Sequence, residues 1–310
     1  MSYFLGIDTS NYTTSCASFN SETNSFINSR QLLEVAKGSV GLRQSEVLFK
    51  HTKALPEIIS NACQNIGELS AIGVSDRPRP LNNSYMPCFL AGVSAASAIA
   101  SANKIKLYKF SHQAGHIAAA LFSANKLDLI GHRFISFHVS GGTTEAVLTE
   151  YDKDQFFKTS IVAKSLDLKM GQAVDRIGNM LGLDFPAGKE LDRLSINGSL
   201  PIKVNVSMKG TDCSISGLEN KAKELLNRGT PKEDIAFFTV NYLAEVIDKM
   251  TAELIKTYGN IPLVFAGGVM SNSYIRKIIT EKYGAYFASS ELSSDNAVGT
   301  AVMTSILHNK

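Results

Sequence analysis

The chain has 310 residues, of which 44% are apolar and 19% charged, so it can bury a sizeable core and does not have the composition of a disordered polypeptide. At this length two domains are expected, because single cores stop growing at roughly 250–300 residues. A net charge of +3 excludes nucleic-acid binding by bulk electrostatics, and any such contact has to be local.

Cys16, Cys63, Cys88 and Cys213 lie far apart with no C-x-x-C pair. That excludes zinc-ribbon spacing and a disulfide framework and points to reduced thiols in the cytoplasm. The opening run to Asp8 has no basic segment and is not a signal peptide. Residues 3–7 read as a strand, 8–12 as a polar turn, 13–19 as a second strand and 26–33 as a third. Residues 41–62 have helical periodicity through Val47, Leu48, Leu55, Ile58, Ile59 and Ala62, and Pro56 is expected to kink or break that helix. A buried strand at 71–74, the loop Asp76-Arg77-Pro78-Arg79-Pro80, a helix at 86–102 and a strand at 105–110 follow. The 86–102 run is the most apolar, but it is rich in Ser, Ala and Gly and shorter than about 20 residues, so it reads as a buried helix and not a membrane span. The next helix opens Ser111-His112-Gln113-Ala114-Gly115-His116.

From Arg133 the order starts again: a strand at 134–139, the turn Ser140-Gly141-Gly142-Thr143-Thr144, strands at 145–151 and 156–162, and a helix at 168–183. Residues 184–230 read as an insertion with a Pro-Ala-Gly turn, a short helix near Glu190, β-like segments at 202–208 and 211–215, and a helix at 217–227. A long amphipathic helix at 231–258, a strand at 262–266, a helix at 271–283, a short strand at 285–288 and a helix at 295–307 complete the chain.

Each half therefore carries three strands and then helices and strands in alternation. The expected fold is α/β, two duplicated domains like those of actin, Hsp70 and sugar kinases with a nucleotide cleft between them. The expected boundaries are 1–127 for a first, ribonuclease-H-like domain and 128–310 for a second, with the insertion at 184–230. Fold alone does not give function, but duplication makes a geometric prediction. His112 and His116 begin the last helix of the first half and Ser294-Asp295-Asn296 the last helix of the second, so both should face the cleft.

Two imidazoles four apart on a helix share one face, close enough to hold one ion. Asp295 is the natural third ligand, and two histidines with one carboxylate leave positions open for substrate oxygen. Read alone, Asp295 beside Ser294 would be an N-cap worth about 1 kcal/mol.

Ser140-Gly141-Gly142-Thr143 and Gly267-Gly268 each follow an apolar strand, where glycine lets main-chain N–H groups approach a phosphate or adenosine. With the turn at Asp8-Thr9-Ser10 they favour a nucleotide, although any one alone is more often a plain tight turn. A P-loop motif is absent, as is a strand-linked G-x-G-x-x-G. Asp175 on the 168–183 helix and Gly188 in a turn carry no signal by spacing, since an acid on a helix is usually a solvated face.

His112-Gln113-Ala114-Gly115-His116 resembles the H-x-E-G-H metal motif of the TsaD family, once called glycoprotease or O-sialoglycoprotein endopeptidase. Gly6-Ile7-Asp8-Thr9-Ser10, Val139-Ser140-Gly141-Gly142, Gly182-Leu183-Asp184-Phe185-Pro186, Ser214-Ile215-Ser216-Gly217-Leu218, Ala266-Gly267-Gly268-Val269 with Ser271-Asn272, and Ser294-Asp295-Asn296 match the family's motifs in its order across nearly the whole chain. The resemblance implies an acyltransferase that moves the threonylcarbamoyl group from threonylcarbamoyl-AMP to N6 of the tRNA adenosine 3′ of the anticodon. By motif position His112, His116 and Asp295 would hold one divalent metal, iron or zinc. With Asp8 they form the candidate catalytic set. Ser140, Gly141, Gly142, Asp175, Gly188 and Asn272 would bind the adenine nucleotide (threonylcarbamoyl-AMP, AMP or ATP), together with the glycine turn Gly267-Gly268. The resemblance also implies tRNA as partner, TsaB- and TsaE-like subunits, a possible dimer and no membrane.

The chain departs from the family where Thr143 replaces a histidine, where Asp76-Arg77-Pro78-Arg79-Pro80 replaces a Gly-Pro-Gly loop, where Asp8-Thr9-Ser10-Asn11-Tyr12 replaces Glu-Thr-Ser-Cys with its acidic follow-up, and where Glu219 replaces a lysine. These departures mark a divergent paralogue. Three functions compete: the transferase or a related carbamoyl or acyl-adenylate transfer, a non-catalytic or regulatory paralogue that binds nucleotide and metal among related subunits, and a metallopeptidase. The last is weakest, because H-x-x-x-H lacks the H-E-x-x-H glutamate. Arg77, Arg79, Lys104, Lys106 and Lys109 form a candidate basic patch for RNA or an ordinary solvated surface.

Overall fold

Apolar side chains on β-branched and aromatic runs build two five-stranded sheets in the computed structural model, which describes residues 2–10, 12–34, 42–81, 83–199 and 204–310. The first has β1 (Tyr3–Ser10), β2 (Thr13–Asn20) and β3 (Phe26–Leu32), then helix α1 (Gln44–Ala62), β4 (Leu69–Arg77), α2 (Phe89–Asn103), β5 (Lys106–Ser111) and α3 (His112–Ser123). Its strand order is β3-β2-β1-β4-β5, with β1 antiparallel to β2 and parallel to β4. The second has β6 (Phe134–Val139), β7 (Thr144–Asp152), β8 (Phe156–Lys164), α4 (Met170–Met180), α5 (Gly188–Ser195), the small hairpin β9 (Ser207–Lys209) and β10 (Asp212–Ser214), α6 (Ser216–Asn227), α7 (Lys232–Tyr258), β11 (Leu263–Ala266), α8 (Ser273–Tyr283) and β12 (Tyr286–Phe287). Its order, β12-β11-β6-β7-β8, repeats that of the first sheet, β11 standing for β4 and β12 for β5. The duplicated α/β fold read from the sequence is therefore present.

The chain divides into two compact units. One comprises Met1–Leu127, Tyr151–Lys158 and Ser294–Lys310, the other Asp128–Glu150 and Thr159–Ser293. The last helix, α9 (Val298–His308), thus clusters with the first unit, whereas the expected second domain ran to residue 310. Close packing is the reason. A Cβ at Gly6 would stand 2.4 Å from the Ala297 carbonyl, and one at Gly299 would stand 1.9 Å from that of Gly115. α9 lies against β1 and α3 at distances only glycine allows.

Four further expectations change. Asp8, Thr9 and Ser10 are strand residues and not a turn: the pairing continues to Ser10↔Thr13, and the side chains of Asp8 and Thr9 find partners in neighbouring elements, His112 and the Cys88 oxygen. Asn11 and Gly41 of the predicted segments, and residues 202 and 203, lie outside the described residues. Helix α1 runs through Pro56 without a break; the ring removes one N–H, but buried Leu55 and Ile58 hold both flanking turns against the core. α9 starts at Val298 and not at 295. Its first N–H donates to Asn296 Oδ1 at 3.0 Å and Ala297 holds the N-cap position, so Asp295 is not the N-cap. Among the described residues no helix is long and apolar enough to cross a membrane.

Candidate metal centre and nucleotide pocket

The two histidines stand at the start of α3, where Ser111 caps the helix by accepting the Ala114 N–H at 3.2 Å. This cap fixes the first turn and with it both imidazoles. Asp295 is carried to them by α9. His116 Nε2 lies 3.2 Å and His112 Nε2 3.8 Å from Asp295 Oδ1, and the two Nε2 atoms are 3.0 Å apart. One donor atom from each residue fits within a 4.8 Å span, the spacing of ligands around a single ion.

Asp8 is not a fourth member of this ring. It is 1% exposed and accepts His112 Nδ1–H at 2.8 Å through Oδ2, while its Oδ1 accepts the Ser10 N–H at 2.9 Å. A carboxylate on the far nitrogen sets the tautomer and leaves Nε2 to a ligand, the arrangement found behind metal-bound histidines. Thr13 and Arg30 address Asp295 in the same way: Thr13 Oγ1 donates to Oδ2 at 3.2 Å, and Arg30 Nη1 donates to Ser294 Oγ and to the Asp295 main-chain oxygen.

Charge follows geometry. Burial alone would lower the pKa of His112, but the Asp8 carboxylate, by charge and hydrogen bond, and the Asp295 charge push it up to about 9. Burial works against ionising Asp295, yet the His116 hydrogen bond and both imidazole charges hold its carboxyl well below the usual range. Asp8 is likewise lowered, His112 outweighing the cost of burial. Two imidazole nitrogens and one ionised carboxylate are a donor set that fits a divalent cation, with the Asp8 carboxylate behind His112 adding negative charge and the ion displacing the proton from Nε2. Ser10 Oγ, buried on the same sheet face, has no hydrogen-bond partner among the described residues, so polar capacity for a further group exists beside the set.

The second unit holds a cavity of about 570 Å³. Ser140, Gly141, Asp175, Gly188, Gly268 and Asn272 line it, six of the eight residues expected to bind nucleotide. A Cβ at Gly141 or Gly268 would meet nothing within 4 Å, so no packing requirement explains these glycines and their main-chain groups are open to a ligand. Gly142 and Gly267 are not in the lining. Gly142 is exposed. Gly267, with φ of 100°, is needed because a Cβ would stand 2.2 Å from the Val139 oxygen, a packing role.

Asp175 is not a solvated acid: its Oδ1 accepts the Ala187 N–H at 3.0 Å and pins the Pro186–Gly188 turn at the cavity. Of the lining residues not expected from the sequence, two shape the pocket through polar or backbone contacts. Asp192 accepts Asn272 Nδ2 at 2.7 Å across 80 residues, for which no local pattern exists. Gly171, one turn before Asp175, brings the start of α4 onto the Ser140-Gly141 turn, where its N–H reaches the Ser140 oxygen at 3.2 Å. The pair Gly171 and Asp175, four apart on one helix face, was the available signal.

The departures are also placed. Thr143 closes the glycine turn, its N–H donating to Ser140 Oγ at 3.2 Å. Glu219 pairs with Arg176 at 3.0 Å. In the loop at 76–80, Pro78 accepts the Gln113 N–H at 3.0 Å and so abuts the first turn of α3.

Comparison with known proteins finds relatives over most of the chain. A tRNA N6-adenosine threonylcarbamoyltransferase of Sulfurihydrogenibium sp. (strain YO3AOP1) is 29% identical over 96% of this chain and 88% of its own length, and one of Methanopyrus kandleri is 25% identical over 86% of this chain and 77% of its own. Among solved structures, component A of the (R)-2-hydroxyglutaryl-CoA dehydratase of Acidaminococcus fermentans superposes with a TM-score of 0.58 at 17% identity, covering 100% of each chain. A ROK family glucokinase from Streptomyces griseus gives 0.51 at 11% identity, covering 98% of this chain and 99% of its own; both likenesses concern the fold alone. The model of the TsaD family, tRNA N6-adenosine threonylcarbamoyltransferase, matches residues 45–302, and the chain belongs to that family of acyltransferases.

Proposed function

We propose that this protein transfers the threonylcarbamoyl group of threonylcarbamoyl-AMP to N6 of the tRNA adenosine 3′ of the anticodon, in the cytoplasm and in company with TsaB- and TsaE-like subunits. The observation that carries the reading is the convergence of His112, His116 and Asp295 on one point with Asp8 behind His112, in a chain of the TsaD family. These three side chains would hold one divalent ion, iron or zinc, which when bound supplies Lewis-acid polarisation of substrate oxygens. Asp8 keeps the proton on His112 Nδ1 and so presents Nε2.

In the second unit, main-chain N–H groups at Gly141 and Gly268 and the Asn272 amide would bind and orient the adenylate, and Asp175 and Asp192 offer acceptors for ribose hydroxyls. The cavity volume lies within the range of small-ligand sites, about 300–1,000 Å³. The adenosine amine adds to the carbamoyl carbon, the bond from that carbon to the phosphate oxygen breaks, the amine proton is released and AMP leaves. Holding the two reactants in place accounts for much of the acceleration.

The test is to incubate metal-loaded protein with threonylcarbamoyl-AMP and unmodified tRNA, with and without TsaB- and TsaE-like subunits, and to measure modified adenosine. Product is expected in the wild type. In His116→Ala it should fall at least 100-fold, with loss of the one bound metal. Wild-type metal content in that variant would remove the site assignment. No product under any combination would favour the second reading, a non-catalytic paralogue, to which the reversed charge at Glu219 and its pairing with Arg176 also point.

A further inference from the structure

Register places five polar residues on one face of the first sheet. Residues directly opposite in paired strands point to the same side, and side chains alternate along each strand. The pairs Asp8↔Ser15 and Ser10↔Thr13 and Ser15↔Arg30 therefore put Asp8, Ser10, Thr13, Ser15 and Arg30 on one side, while Thr9 points the other way and donates to the Cys88 oxygen at 3.0 Å. Three of the five reach the candidate metal ligands. Asp8 takes His112 Nδ1, Thr13 takes Asp295 Oδ2, and Arg30 takes the main-chain oxygen of Asp295 and the hydroxyl before it.

The two oxygens of Asp295 are thus given different tasks. Oδ1 faces His116 and His112, whereas Oδ2 accepts the Thr13 hydroxyl at 3.2 Å. A free carboxylate on a short side chain can offer one oxygen or both to an ion, and at 34% exposure Asp295 has room to turn. We propose that Thr13 is a positioning residue that holds Asp295 to one-oxygen ligation, and that this keeps a coordination position open for substrate. Arg30 fixes the main chain beneath that carboxylate, so the remaining freedom is rotation of the side chain, which the Thr13 hydroxyl stops. The inference rests on the metal reading above.

The experiment uses full-length Thr13→Val and Thr13→Ser with cobalt(II) as the probe, because its visible absorption reports coordination number independently of activity. Wild type should bind one cobalt ion. Thr13→Val, which keeps the shape and removes the donor, should bind about 10-fold more weakly, as loss of an outer-shell partner commonly does, and its visible bands should weaken and shift as the second oxygen of Asp295 enters. Thr13→Ser should restore affinity and spectrum. Circular dichroism and melting of each variant show that both are folded. A Thr13→Val protein that is folded and matches wild type in affinity and spectrum overturns the role of Thr13 while leaving the metal reading intact. A folded wild type that takes up no cobalt overturns both.

Discussion

At the scale of single residues, hydrogen bonding decides which acids are structural. Asp167, between β8 and α4, accepts the N–H groups of Leu168 at 2.6 Å, Ile215 at 2.7 Å and Ser216 at 3.2 Å, and the Ser216 hydroxyl at 2.7 Å. It clamps the start of α6, within the Ser-Ile-Ser-Gly-Leu motif. Burial tends to raise its pKa, but these donors outweigh that and lower it below the ordinary 3.8. Because the folded value is depressed, the stabilisation is present above the ordinary value and is lost as pH falls through the lower folded one. Asp167→Ala is expected to cost about 1 kcal/mol at pH 7, a small figure because the side chain is exposed, and the gap between variant and wild type in thermal melts should close as pH falls below the ordinary carboxylate range. A gap unchanged by acid would show that the ionised carboxylate is not the clamp.

At the scale of elements, close approach replaces side chains. α4 meets the glycine turn after β6 so tightly that a Cβ on Gly171 would stand 2.4 Å from Gly141 N, backbone that cannot swing aside. Gly171→Ala must separate helix and turn, at about 1–3 kcal/mol of strain, and so alters one wall of the cavity. AMP affinity measured by calorimetry should drop about 10-fold or more, with a lower melting temperature. Unchanged AMP affinity in the folded variant would mean that this wall does not touch the nucleotide. The two helices with site residues also differ in how far they could be read. The first turn of α3 was legible from Ser111 and the strand before it, while α9 was read three residues too early, because Asp295 resembles a cap, whereas Ala297 holds the N-cap position and Asn296 accepts the Val298 N–H.

At the scale of the whole molecule, the chain returns to its first unit for the last 17 residues, Ser294–Lys310. The glycines of two motifs take their meaning from this return. Gly6, before Asp8, and Gly115, between the histidines, are where α9 presses on β1 and α3. A chain ending at Ser293 should leave Phe4, whose ring meets that of His308, and the α3 backbone at Gly115 and Ala119 without part of their cover. We expect hydrogen exchange to show β1, β4 and α3 unprotected in that truncation, while β6, β11 and α7 keep the protection they have in the full chain. Protected β1 and α3 in the truncated chain would show that the first unit folds without α9.

By itself the sequence determined most of the elements, the repeat of strand order, the two histidines on one helix face and the motif series that marks the TsaD family. These are properties of periodicity and local spacing, which a linear chain displays directly. Only the tertiary structure decided that Asp8 orients His112 instead of joining a turn, that Thr13 and Arg30 hold Asp295, that Asp192 meets Asn272, and that the final helix belongs with the first unit. Each of these depends on contacts between residues tens to hundreds of positions apart, set by strand register and by the distances at which glycine lets two backbones meet, and no local pattern encodes them.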